Sequence, residues 1–310
     1  MLVTELCDEA KQCDGAEQVS EMNKPIVVGI NGSAGSEAAM AWSLNRAARL
    51  KLPVIAMHAV DDRWIAQEFQ YHEMIKESAL QLLRQVQQDA ALRAPGVDVE
   101  IQLRHGGTGL ALKEMSRDAS MLVIGSHDRY WADGGPMTDR ALQIVTASDC
   151  PVAVIPHPPG PERRGVVVGV DASEESSQAV ALAAAEADRE GDELTAVLAF
   201  RHPARWAQRG LPSSRLTEVM EEEEKVVLAE SVAGLGDRYP DLVVHQRLEG
   251  DTDPAKALVE IAADARMLVI GSRGRGGFSR LLLGSTAHAV LTRVPCPTVV
   301  TRVHKPHHDE

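Results

Sequence analysis

Aromatic side chains are nearly missing: Phe, Tyr and Trp together make up 3% of the 310 residues. With 44% of the chain apolar, its cores must be built from Val, Ile, Leu and Ala. That palette suits buried parallel strands covered by Ala-rich helices. Long apolar runs are absent too, and none approaches the ~18 residues of a membrane span, so no membrane partner is expected. The first 24 residues carry Glu5, Asp8, Glu9, Asp14, Glu17 and Glu21 and lack the basic start and apolar stretch of a signal peptide. A cytoplasmic location is expected. Cysteine is sparse: Cys7 and Cys13 sit in the N-terminal tail, while Cys150 and Cys296 each precede a proline. Neither spacing is a metal or redox pattern, nor a secreted disulfide framework. Positive charge is in short supply, with 32 Lys and Arg against 45 Asp and Glu and a net charge of −13. Such a surface repels phosphate backbones, so nucleic acid is not an expected partner.

What the chain does contain is a repeat. Met121–Asp128 (MLVIGSHD) matches Met267–Gly274 (MLVIGSRG), and Cys150–Ile155 matches Cys296–Thr301, both 146 residues apart. VVGIN ending at Asn31 matches VVGVD ending at Asp171, 140 residues apart, so the second copy gains six residues in its middle. Between the copies lies HPPGPERR, whose prolines and glycine continue neither a helix nor a central strand. The expected organisation is a tail (1–24), a first domain (25–156), a linker (157–164), a second domain (165–302) and a tail (303–310).

Within each copy, short apolar runs alternate with amphipathic stretches. In the second copy the strands are expected at Gly165–Val170, Leu194–Phe200, Leu242–Leu248, Met267–Ile270 and Pro297–Thr301. The helices between them are expected at Ser176–Glu190, Arg215–Ala233, Pro254–Ala265 and Ser285–Arg293. The first copy gives strands at Ile26–Ile30, Pro53–Val60, Val97–Leu103, Met121–Ile124 and Pro151–Ile155. Strict alternation implies crossover connections and a parallel sheet covered on both faces. The last strands of the two copies are apolar, and an uncovered edge of that kind tends to pair. They are expected to pair with each other.

The segment GSRGRGGFSRLLLGST, Gly271–Thr286, follows a strand and leads into a helix. Glycine permits positive φ and close approach to a ligand. Free N–H groups around Ser285 and Thr286 would form an anion site, to which both hydroxyls can donate. Arg273, Arg275 and Arg280 bring positive charge. These features describe a polyphosphate cradle, against the alternative of a flexible turn with no ligand. The spacing is not a P-loop, which needs Lys-Ser/Thr after the glycines. Nor is it a dinucleotide fingerprint, because it follows the fourth strand of its unit. Asp171 follows the first strand. In the order 3-2-1-4-5, strands 1 and 4 are neighbours, and Asp171 and Gly271 would face one crevice at a topological switch point. A carboxylate there can accept hydrogen bonds from a ribose or an adenine amine, or can serve the following helix as a cap.

These residues resemble the universal stress protein family, whose ATP-binding members carry G-x2-G-x9-G-S/T after strand four and an Asp after strand one. Gly271, Gly274, Gly284 and Ser285 match the first motif, and Asp171 the second. The resemblance covers 25–155 and 165–302. It implies an α/β fold of two tandem doubly wound five-stranded parallel-sheet domains, adenine-nucleotide alpha hydrolase-like, with strand order 3-2-1-4-5. It implies ATP as ligand, with or without Mg2+. The adenine would lie against backbone near 196–198, beside Val170, Asp171 and Val197. The triphosphate would lie on Gly271, Arg273, Gly274, Gly284, Ser285 and Thr286. Members of the family are small stress-associated ATP sensors or scaffolds, and many dimerise. A homodimer is therefore expected, and the protein partner is left open.

The first copy departs from that pattern. Asn31 stands for Asp171, Asp128 for Gly274, Trp131 for Gly277, Thr138 for Gly284 and Asp139 for Ser285, with Gly125 retained. Two carboxylates at a phosphate site repel, so weak or absent ATP binding is expected there, although Gly134-Gly135 can form a rearranged loop. Glu221–Glu224 reads as a solvated helix face, and His304, His307 and His308 as a tail. Leu281–Leu283 pack under the helix or contact a ligand. The leading expectation is an ATP-binding regulatory or sensor module of a stress response, with no catalytic residue assigned. Its rivals are a slow ATPase or other nucleotide-using enzyme of the same fold, and a protein–protein scaffold.

Overall fold

Each repeat opens with four residues that are apolar on both sides, IVVG and VVVG, too short for a helix and rich in β-branched side chains. In a computed structural model of the chain they form β1 (Ile26–Gly29) and β6 (Val166–Gly169). The structure describes residues 24–61, 69–126, 138–158, 163–201, 213–275 and 283–302, with backbone alone at 69–72, 138–141 and 213–216. After β1 the first repeat continues α1 (Ala34–Leu50), β2 (Val54–Val60), α2 (Phe69–Arg93), β3 (Val99–His105), α3 (Thr108–Ser116), β4 (Met121–Gly125), α4 (Thr138–Ala147) and β5 (Val152–Ile155). After β6 the second continues α5 (Glu174–Glu190), β7 (Leu194–Phe200), α6 (Ser213–Val232), α7 (Leu235–Arg238), β8 (Val244–Gly250), α8 (Pro254–Ile261), β9 (Met267–Gly271), α9 (Ser285–Leu291) and β10 (Thr298–Thr301).

The described residues up to Gly125, with Ser148–Cys150, form one compact unit; Ser126–Ala147 and those from Pro151 onward form the other. In the first unit four parallel strands run in the order β3-β2-β1-β4. In the second the order is β5-β10-β9-β6-β7-β8. The second repeat's own strands are parallel there, in the expected order 3-2-1-4-5. Its further strand, β5, runs antiparallel to β10, with Val154, Ala153 and Val152 facing Thr298, Val299 and Val300. All six are buried, so the two apolar last strands do pair.

Register locates the six extra residues. Val28 faces Ala56 in the first repeat and Val168 faces Ala196 in the second, both 140 apart. Val54 faces Val99, whereas Leu194 faces Val244, so the third strands stand 145 apart. Five residues therefore enter between the second and third strands. The sixth enters the next turn, where Asp251-Thr252-Asp253 replaces Gly106-Gly107 before the helix. Both third strands begin two residues later than their apolar runs suggest, at Val99 and Val244. Backbone pairing to the neighbouring strand continues through Arg104-His105 and Glu249-Gly250. Main-chain bonding is indifferent to side-chain polarity on a half-exposed edge strand. The helix expected to run from Pro254 to Ala265 ends at Ile261 and closes in a 3-10 turn over Ala262–Asp264. The short α7 had no signal in the sequence.

Small residues bring the helices down onto the sheet. Ala39 and Ala47 of α1, and Ala179, Ala183, Ala184 and Ala187 of α5, have no exposed surface. Ser33 and Ser173 cap these helices by accepting the N–H of Ser36 and Ser176. The two repeats keep the same left-handed backbone with different residues. After the helices, Lys51 (φ 55°) matches Gly191 (φ 62°); before them, Gly32 (φ 77°) matches Ala172 (φ 57°).

A side chain in the left-handed region costs roughly 1–2 kcal/mol, while glycine gives back about 0.4–1 kcal/mol through the freer unfolded chain. Lys51→Gly and Ala172→Gly should therefore each stabilise by about 0.5 kcal/mol, seen as a higher urea midpoint at unchanged slope. A lower midpoint in both would refute the assigned backbone. Burial pushes the Cys150 thiol up to about 11 and the Cys296 thiol up to about 12. At pH 8 their thiolate fractions should be on the order of 0.1% and 0.01%. Iodoacetamide should thus spare both in the native protein and modify both in urea, as peptide mass spectrometry would show.

Candidate functional site

The second unit brings its loop to the end of β6. Beyond that strand the chain turns sharply through the left-handed Ala172 into α5. Asp171 Oδ1 accepts the N–H of Ser173 at 3.0 Å and its hydroxyl at 2.6 Å. Asp171's own N–H donates to Ser176 Oγ at 3.1 Å. One carboxylate oxygen thus fixes the turn, but the helix-capping alternative does not hold as stated, because the N-cap is Ser173. The other oxygen, Oδ2, faces away into the loop after β9 and accepts the N–H of Arg275 at 3.2 Å across 104 residues of sequence. The Arg275 Nε also donates to the Asp171 carbonyl.

The glycines serve this contact by their lack of a Cβ. None of Gly271, Gly274 and Gly284 has positive φ, so at these three positions glycine serves close approach and not that conformation. A Cβ on Gly274 would collide with Asp171 Oδ2. One on Gly271 would lie 2.9 Å from Glu175 Cβ, closer than side chains tolerate. Gly284 donates its N–H to the Ser272 carbonyl at 2.8 Å, and a Cβ there would stand 3.4 Å from Arg273 Cα. The three glycines are where chain meets chain.

The loop's charge is already matched. Arg273 pairs with Glu175 at 2.6 Å. Arg275 forms a two-pronged bond to Glu224, with Nη1 to Oε1 at 3.2 Å and Nη2 to Oε2 at 3.1 Å. The positive patch expected from the sequence is thus neutralised by two glutamates at the described positions; Arg280 lies outside the described residues. Glu224 is also a correction, since it is not part of a solvated face: its side chain is 18% exposed, against 72% for Glu222. It stands four residues before buried Leu228, itself four before buried Val232, so helical spacing carried the signal. Among the described residues, two buried polar atoms at the loop's root, Ser272 Oγ and Arg273 Nε, make no hydrogen bond.

Of the expected residues, the structure gathers Asp171, Gly271, Arg273, Gly274 and Gly284. Ser285 and Thr286 follow directly as the first turn of α9, which no side chain caps. Val170 and Val197 serve the sheet instead: both are buried, and the Val170 N–H donates to the Val197 carbonyl at 2.8 Å. Sequence reading missed Ser173, Glu175, Glu224 and Ser272.

In the first repeat Asn31 Oδ1 accepts the Ser33 N–H at 3.0 Å and hydroxyl at 2.7 Å, the same turn without the charge. A Cβ on Gly125 would collide with the Gly35 carbonyl. Asp128, Trp131 and Gly134-Gly135 lie outside the described residues, as do the side chains of Thr138 and Asp139. The same holds for Gly277, Leu281, Leu282, the terminal histidines and both tail cysteines. Among the described residues, no helix is long and apolar enough to cross a membrane.

Comparison with known proteins follows this geometry. Universal stress protein Rv2005c of Mycobacterium tuberculosis is 33% identical over 306 residues, covering 91% of this chain and 99% of that protein. Universal stress protein Rv1996 of the same organism is 32% identical over 312 residues, covering 91% and 96%. The crystal structure of a universal stress protein from Archaeoglobus fulgidus shares the fold with a TM-score of 0.65 at 19% identity, covering 91% of this chain and 97% of that one. The sequence pattern of the universal stress protein family matches twice, at residues 22–156 and 162–302, and the chain belongs to that family.

Proposed function

We propose that the second unit binds ATP, with or without Mg2+, and that the chain acts as a nucleotide-responsive regulatory module of a stress response. The observation that carries this reading is the meeting of Asp171 with Gly274-Arg275 at neighbouring strand ends. Two features of the loop's root agree with a polyanion there. Ser272 Oγ and Arg273 Nε are buried and make no hydrogen bond among the described residues, and a buried donor left unmet is costly. The Arg273 and Arg275 guanidiniums can exchange carboxylate for phosphate, since their forked donors suit both. Asp171, Gly271, Arg273, Gly274, Gly284, Ser285 and Thr286 would hold the nucleotide. Val170 and Val197, buried in the sheet, would contribute through their main chain. ATP would supply the charge that draws the arginines from their glutamates.

A binding module fits these residues better than an enzyme. A catalytic base needs a free lone pair directed at substrate. Asp171, the carboxylate at the described crevice, serves as a hydrogen-bond acceptor for the Ser173 and Arg275 N–H groups, and the proposed nucleotide would meet it in that same acceptor role. A homodimer remains part of the reading, and sedimentation with and without ATP reports it.

Calorimetric titration of the full chain should give one ATP per chain; two equivalent sites would refute the assignment to the second repeat alone. Gly274→Val with Gly284→Val should weaken ATP at least ~100-fold, about 2.7 kcal/mol. ATP at ~100 times its Kd should raise the melting temperature of the wild type by several degrees, and this rise should vanish in the double variant. Asp128→Val with Thr138→Val should leave the rise nearly intact. Asp171→Asn is the gentler probe, because Asn31 shows that an amide holds the same turn. It should keep the unliganded melting temperature and still lose affinity.

A further inference from the structure

Arg275 sits across the very group a nucleotide would need. Its main-chain N–H occupies Asp171 Oδ2 and its Nε the Asp171 carbonyl, while its outer nitrogens grip the Glu224 carboxylate from α6. Four hydrogen bonds from one residue thus tie the end of β6 to α6. A ligand that bonds to Asp171 Oδ2 competes with the Arg275 main-chain N–H, which the Arg275 side chain holds in place through the Asp171 carbonyl and Glu224. The grip is a fork against a carboxylate, the strongest neutralising geometry an arginine has short of a phosphate. Glu224 is shielded, with 18% of its side chain exposed, and Arg275 is 42% exposed. The pair is therefore shielded on the glutamate side and reachable from solvent on the arginine side.

We propose that the Arg275–Glu224 pair is the specificity device of this site, a strap that excludes nucleosides and yields to nucleotides carrying a phosphate chain. The inference rests on the ATP-binding reading above. A nucleoside must break the strap and offers nothing in return, because its groups are neutral. A phosphate chain offers Arg275 a second forked anion of higher charge, so the displaced guanidinium is paired again at once. Glu224 then sets the cost of opening for every ligand, and Arg275 sets the difference between ligands. Glu224 touches no ligand in this scheme and is a positioning residue.

The test is calorimetric titration of the full chain with adenosine and with ATP, on wild type, Glu224→Gln, Arg275→Gln and Arg275→Lys. Glu224→Gln should tighten both ligands by a similar factor of ~2–5. Arg275→Gln should shift the two in opposite directions, with adenosine tighter and ATP weaker, so that their affinity ratio falls at least ~10-fold. Arg275→Lys, which keeps the charge without the fork, should give an intermediate ratio. A purely structural role would move both ligands the same way in every variant. Melting temperatures without ligand check that each variant is folded. Unchanged ATP affinity in Glu224→Gln overturns the proposal, as does an unchanged ratio in Arg275→Gln, and in both cases ATP binding by the wild type still stands. Wild type that binds no ATP overturns this proposal and the ATP-binding reading together.

Discussion

Parallel strands buried on both faces can deliver polar groups to solvent only at their ends. Val28, Leu122, Val123, Val168, Leu268 and Val269, at the centres of their strands, are all sealed, and their backbones are committed to neighbours. Chemistry is thereby pushed to the residues just past each strand, Asn31 and Asp171 after the first strands and the glycine loop after β9. The order 3-2-1-4-5 then decides which ends meet. It sets Asp171 beside Gly274 and Arg275, although 104 residues separate Asp171 from Arg275 along the chain.

Close approach is the second consequence. Helices α1 and α5 reach the sheet through alanines, and the glycine that ends the fourth strand admits the first turn of the helix. In the first repeat Gly125 meets Gly35; in the second Gly271 meets Glu175. The glutamate at 175 is close enough there to pair with Arg273. A structural difference between the repeats thus becomes an electrostatic one. The same holds at the strand end, where Asn31 and Asp171 make one turn with nearly equal distances. The charge on Asp171 is surplus to the turn and is directed at the loop.

Net charge also acts locally. A chain at −13 has carboxylates to spare for its few cations, and Glu175 and Glu224 meet the two described loop arginines. The loop is held by internal ion pairs that an external anion would have to replace. Partly exposed ion pairs of this kind add little stability.

The amino-acid sequence by itself determined the repeat, the alternation of strand and helix, the strand centres and the glycine motif, because these are local patterns of apolar period and residue size. It marked Asp171, Gly271, Gly274 and Gly284 as candidates, through their spacing together with the resemblance to a family motif. Exact ends of β3 and β8 escaped it, since main-chain pairing extends past the apolar residues into Arg104-His105 and Glu249-Gly250. Only the tertiary structure decided what the glycines are for. Their φ angles are ordinary, and the space they leave is taken by Asp171, Glu175 and Arg273. It alone decided that Glu224, one of four consecutive glutamates, turns inward to Arg275. A contact between α6 and a loop some fifty residues later depends on how both are carried by the sheet, and no local pattern records that distance.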